Sequence, residues 1–173
     1  MPPTLTLSDI PSNEDRNLST SQIKLRLFRY EDVDAFRGLN EAWIERYFGL
    51  EEADNEVLGD PVGHIIEPGG QIIIATLDGR AVGCCALKPM EPGVYEVAKM
   101  AVAEGLRGRG IGRMVLVRTI EEARAMGAAK LYLETNTRLA NAIHLYESLG
   151  FERLPPKRSV YERANVFMEL ALF

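Results

Sequence analysis

Between Ile23 and Arg29, apolar Ile and Leu alternate with Lys and Arg, the two-residue period of a strand with one buried face. From Glu31 the period lengthens, with Phe36, Leu39, Trp43 and Tyr47 at helical spacing and charged residues between them. Gly49 and the acidic stretch Glu51–Asp54 break this helix, and a second short one runs to Leu58. Asp60-Pro61 and Pro68-Gly69-Gly70 bound an irregular connection. Gln71–Leu77 and Ala81–Leu87 read as strands joined by Asp78-Gly79, residue types that accept the positive φ of a two-residue hairpin. Pro89, Pro92 and Gly93 lead to a further strand, Val94–Ala103.

Beyond a glycine-rich turn, Leu116, Ile120, Ala123 and Gly127 mark a helix, and Lys130–Thr135 is the next strand. Leu139, Ile143, Tyr146 and Gly150 repeat at helical spacing, and Gly150 suits a helix C-terminus. A loop with Pro155-Pro156 and several basic residues precedes the last strand, Val166–Leu172. The order β-α-α-β-β-β-α-β-α-β-β predicts an α/β fold: a single domain over residues 21–173, with helices on a mixed sheet. Met1–Thr20, rich in Pro, Ser, Thr, Asn and Asp, reads as a mobile tail with neither the basic start nor the apolar segment of a signal peptide.

Charge narrows the classes of partner. Twenty Lys and Arg against 25 Asp and Glu give a net charge of −5, which argues against nonspecific binding to nucleic acid or an anionic membrane. No apolar stretch reaches the length of a membrane span. Cys84 and Cys85 are adjacent in a strand, point to opposite faces, and read as reduced buried thiols of a cytoplasmic protein. His64 and His144 are isolated, so no metal site is expected.

The candidate chemistry lies at Arg107-Gly108-Arg109-Gly110-Ile111-Gly112, between a strand and a helix. Glycine at alternate positions permits positive φ, so successive N–H groups can converge on one anion at a helix N-terminus. Arg107, Arg109 and Arg113 add charge-assisted donors. A P-loop is excluded, because no Lys-Ser or Lys-Thr follows the last glycine. A dinucleotide-binding turn is the remaining rival: Gly108 and Gly110 fit, with Glu134 at a suitable distance, but Arg113 stands where a third small residue belongs. A turn without ligand is the other alternative.

Arg107-x-x-Gly110-x-Gly112 resembles the acyl-CoA motif of the GNAT superfamily of N-acyltransferases. Ala142-Ile143-x-Leu145-Tyr146-Glu147-x-Leu149-Gly150-Phe151 resembles that superfamily's second signature, and the resemblance covers about residues 23–172. It implies a GNAT-like mixed, mostly antiparallel sheet and an acetyl-CoA-dependent N-acetyltransferase acting on a primary amine of a small molecule or protein. The diphosphate of acetyl-CoA would lie on the amides from Arg107 to Arg113, and its pantetheine arm along Met100, Ala101 and Val102. Many members carry an asparagine early in the last core helix; here Leu139 stands in its place, and Asn136 is the candidate substitute.

The same resemblance assigns Glu96 as general base and Tyr146 as general acid, with Glu134 a second carboxylate. Strand alternation without a bulge would place Glu96 on one face with Met100 and Val102. The competing readings are a solvated strand carboxylate and a core tyrosine with its hydroxyl satisfied. Trp43, Tyr47 and Phe48, followed by Glu51, Glu52 and Asp54, would form an aromatic wall beside carboxylates, suited to a cationic amine, with a core stripe as the competing reading; Tyr161 is a further acceptor candidate. A noncatalytic acyl-CoA-binding regulator is the alternative function, and a homodimer is left open.

Overall fold

The computed structural model describes residues 22–173; the Met1–Thr20 tail lies outside them. The chain runs β1 (Lys24–Leu27), α1 (Val33–Tyr47), α2 (Glu52–Gly59), β2 (Gln71–Leu77), β3 (Arg80–Pro89) and β4 (Val94–Val102). It continues through α3 (Ile111–Ala125), β5 (Lys130–Thr135), α4 (Ala140–Ser148), β6 (Glu152–Arg153) and β7 (Val166–Ala171). One seven-stranded sheet has the order β1-β2-β3-β4-β5-β7-β6. Every neighbouring pair is antiparallel except β4 and β5. The mixed, mostly antiparallel α/β fold expected from the sequence is therefore the observed one.

Helices cover both faces of the sheet. Ile73, Cys85, Leu87, Leu131 and Leu133 pack with Val115, Leu116 and Ile143 of α3 and α4. On the other face Ile72, Ile74, Cys84 and Ala86 meet Phe36 and Ile44 of α1 and Val57 and Leu58 of α2. Ile72, Ile73 and Ile74 are consecutive and fully buried, the run of a strand covered on both sides. Cys84 and Cys85 are free, buried, and divided between the two faces. Burial pushes both thiols up, that of Cys85 to about 12, which leaves them unsuited to nucleophilic chemistry.

Two local differences from the sequence reading have clear causes. The acidic stretch after Gly49 opens α2 as well as ending α1, because the Glu51 N–H donates to Asp54 Oδ2 at 2.9 Å. The connection after Asp60 contains a wide helical turn, Val62–Ile66, that buries Ile65. Elsewhere the punctuation reads as expected: Asp78 and Gly79 both have positive φ in the β2–β3 hairpin.

The junction of β4 and β5 positions the site. They pair only over Val94–Glu96 with Lys130–Tyr132, and then separate. β5 turns to pair along its whole length with β7. β4 stays on β3 but carries a bulge: Cys84 and Ala86 oppose Ala101 and Ala98, so three steps on β4 match two on β3. Lys99 takes the extra place with φ 53°. The bulge overturns the alternation expected for Glu96. Met100 and Val102 pack toward α3 and α4, while Glu96 faces the α1 and α2 side with Tyr132 and Glu134.

α3 approaches the sheet most closely over Gly83, where an added Cβ would stand 3.3 Å from Val115 and 3.4 Å from Ile111. Gly83→Val should cost about 1–3 kcal/mol by overpacking. Urea unfolding measures it; an unchanged midpoint would contradict this packing.

Candidate active site

The separating strands open a cleft of about 630 Å³. On its α3 and α4 side, the glycine turn adopts the geometry that an anion site requires. Gly108 and Gly110 have φ of 77° and 80°, and α3 starts at Ile111. The amides of Ile111, Gly112 and Arg113 are thus the unpaired donors of the helix's first turn, at the positive end of its dipole. A Cβ on Gly112 would stand 3.8 Å from Val102 and 3.9 Å from Leu145, in the gap between β4 and α4. Along the same gap, the β4 edge beyond Glu96 has no strand partner. An open strand edge ending at a helix N-terminus fits an extended ligand with an anionic group, as acetyl-CoA is.

Arg107 and Arg113 border the cleft, whereas Arg109 lies away from it. Arg107 donates to the Tyr47 hydroxyl at 3.4 Å, and Arg113 to Ser148 at 3.1 Å. Arg138 donates to the Tyr47 carbonyl and lies 5.3 Å over the Phe48 ring. Tyr47 therefore sits at the glycine-turn end of the cleft. Asn136 borders the cleft, but its side chain is committed to the β5–α4 turn. It donates to the Arg163 carbonyl at 2.7 Å and accepts from the Arg138 N–H at 2.8 Å.

Tyr146 projects from α4 with its ring against Phe151, centroids 5.8 Å apart. The residue is 8% exposed and borders the cleft. Burial, with the neighbouring Cys85, raises its pKa, so the phenol keeps its proton.

On the opposite side of the sheet, Glu96 is half-buried at the edge of the cleft. Burial first, and then Glu134, raise its pKa, while Lys88 and Lys99 pull the other way. Glu134 accepts from the Tyr132 hydroxyl at 3.1 Å and from Ser159 at 2.7 Å. Tyr161 lies beside them, its hydroxyl accepting from Lys99 Nζ at 3.1 Å.

The sequence reading missed the charged group beneath this side. Asp54, fully buried in α2, accepts from Lys99 at 2.6 Å and from both terminal nitrogens of Arg163 at 2.6 and 2.7 Å. Glu51 also takes Arg163, at 3.0 Å. The expected carboxylate wall behind Trp43 is thus neutralised from within, and Trp43 itself donates to Asn40 and packs 5.9 Å from Arg163. Glu51 and Asp54 were singled out in the sequence, but the partners of Asp54 lie 45 and 109 positions away, so no local pattern could reveal them.

Burial alone would raise the Asp54 pKa, but hydrogen bonds from Arg163 and Lys99 prevail and hold it at about 2. A carboxyl depressed in the folded state stabilises the fold above its unfolded value of 3.8, and that contribution disappears as pH falls toward about 2. Wild type should therefore lose on the order of 2 kcal/mol across this window. Asp54→Asn should lack that limb and be less stable at neutral pH by about 3–5 kcal/mol, since Lys99 and Arg163 lose their counter-ion. Urea unfolding from pH 7 to pH 2 checks both; parallel pH curves would exclude the assignment.

The conserved pattern of the GNAT acetyltransferase family matches residues 26–151. The IAA acetyltransferase of Azospirillum brasilense is 38% identical over 132 residues, 75% of this chain and 86% of that protein. The uncharacterised N-acetyltransferase YjgM of Escherichia coli is 35% identical over 91 residues, 51% of this chain; the match spans about half, 54%, of that protein. A GNAT-family acetyltransferase from Staphylococcus aureus superposes with a TM-score of 0.78 at 20% identity, covering 87% of this chain and 99% of the other. The chain belongs to the GNAT acetyltransferase family.

Proposed function

From that membership and the cleft, we propose that the protein transfers the acetyl group of acetyl-CoA to a primary amine of a small molecule or a protein. The transfer is direct, with both substrates bound and no covalent enzyme intermediate. The observation that carries this reading is the β4–β5 separation, with the glycine turn and Tyr146 on one side of the sheet and Glu96 on the other. Acetyl-CoA supplies an activated thioester. The amides of Ile111, Gly112 and Arg113 hold its diphosphate, and the free edge of β4 between Val97 and Val102 orients the pantetheine arm.

The acceptor approaches from the Glu96 side. An alkylammonium has a pKa near ~10.4 and must lose a proton before it can attack. Glu96 accepts that proton at its carboxylate, and its raised pKa makes it a stronger base than a solvated glutamate. Tyr146 holds a proton at its phenolic oxygen for the departing sulfur. Tyr161 and Trp43 line the acceptor side, and Tyr47 belongs to the cofactor side.

Thiol release from acetyl-CoA across a panel of primary amines tests the reading. The acid limb of kcat/KM should lie above 4.5, the ordinary value for glutamate, because only ionised Glu96 accepts a proton. Glu96→Gln should lower kcat about 10²–10⁴-fold and remove this limb. Full activity of Glu96→Gln at low and high pH would take the base role from Glu96. Stabilisation by CoA with no turnover on any amine would favour the acyl-CoA-binding regulator.

A further inference from the structure

We propose that Lys157 is an intramolecular acceptor, so that without an external amine the protein acetylates its own Lys157 side chain; this rests on the acetyltransferase reading above. Lys157 is exposed on the segment between β6 and β7. Its ammonium lies 4.7 Å over the centroid of the Tyr132 ring. Tyr132 is the residue of β5 in register with Glu96 on β4, so the two side chains are neighbours on one face. The Tyr132 hydroxyl donates to Glu134, the carboxylate that helps to raise the Glu96 pKa. The nitrogen of Lys157 is thus one aromatic ring away from the base assigned to the acceptor amine.

The segment that carries Lys157 is fastened on both sides. Leu154 N–H donates to the Phe167 carbonyl at 2.7 Å, and Ser159 donates to Glu134 at 2.7 Å. Tethering between two such anchors keeps the amine at high local concentration beside Tyr132, the neighbour of Glu96. The other described lysines near the site are placed differently. Lys99 is buried and bound to Asp54. Lys88 opposes Glu96 from β3, across β4 from the edge that opens toward β5.

In the proposed step, the Nζ–C bond forms at the acetyl carbonyl carbon and the C–S bond of the thioester breaks. The nitrogen gives up two protons: one passes through Glu96 to water, and the other ends on the CoA sulfur. The products are Nε-acetyl-Lys157 and free CoA. The positive charge over Tyr132 disappears, which removes the cation–π contact.

The test incubates the whole chain with acetyl-CoA and no added amine, then follows intact mass and maps the modified peptide. One acetyl group should appear on Lys157, at a rate per chain that is equal at low and high protein concentration. Glu96→Gln should slow it by about 10²-fold or more. Lys157→Arg should take up no acetyl group, while still binding acetyl-CoA and releasing thiol with external amines. Acetylation of Lys88, modification spread over surface lysines at a rate indifferent to Glu96→Gln, or a rate that rises with protein concentration would overturn the proposal. So would an unmodified Lys157 in a preparation that turns over external amines; failure of both reactions would overturn the acetyltransferase reading with it.

Discussion

A parallel strand pairing that stops after three residues governs this structure. β4 and β5 share Val94–Glu96 and Lys130–Tyr132, and the cleft opens from Glu96 onward, where they no longer meet. Backbone N–H and C=O groups on an interior strand are costly to leave without partners. The β4 edge beyond Glu96 therefore needs water or an extended ligand, and the cleft supplies room for either. β5 cannot return to close the gap, since β7 holds it along its full length. The same divergence joins the two faces of the sheet, so that Tyr146 from α4 and Glu96 from β4 border one space.

The bulge at Lys99 decides which residues of β4 face each side of the sheet. By adding one residue, it turns Met100 and Val102 toward the glycine turn while Glu96 remains opposite. A left-handed conformation at a residue with a Cβ costs about 1–2 kcal/mol, so something must hold it. The buried ion pair with Asp54 does so, at 2.6 Å with side chains 5% and 0% exposed. Arg163 completes the group from the other end of the chain and binds α2 to the segment before β7. Replacing such a cluster by apolar groups is often neutral for stability, which points to conformational specificity as its contribution here.

The sheet and its helices were legible because β2, β3 and β5 are continuous apolar runs buried on both faces, and both long helices bury apolar residues at helical spacing. The hairpin and the glycine turn were legible because their positive φ values demand glycine or aspartate. What stayed hidden depends on long-range coincidence. No local signal marks Lys99 as a bulge, and the strand alternation that misplaced Glu96 would hold without it. The acidic residues after Gly49 have the composition of a solvated recognition surface, yet Asp54 is the most buried charge of the described chain. Asn136 shows the complementary error: it lies beside the cleft, but its amide is consumed in shaping a turn.

On the proposed reading, the gap between β4 and α4, closed at one end by the glycine turn, is the acyl-CoA site. Calorimetric titration of the wild type and of Gly112→Val with acetyl-CoA, CoA and NADH measures it most directly. The new side chain would enter the space between Val102 and Leu145, the two side chains that an added Cβ would meet. Wild type should bind acetyl-CoA and CoA but not NADH, and Gly112→Val should weaken both by tenfold or more, a loss of about 1.4 kcal/mol. Binding of NADH in place of CoA, or equal affinity in the variant, would contradict the assignment.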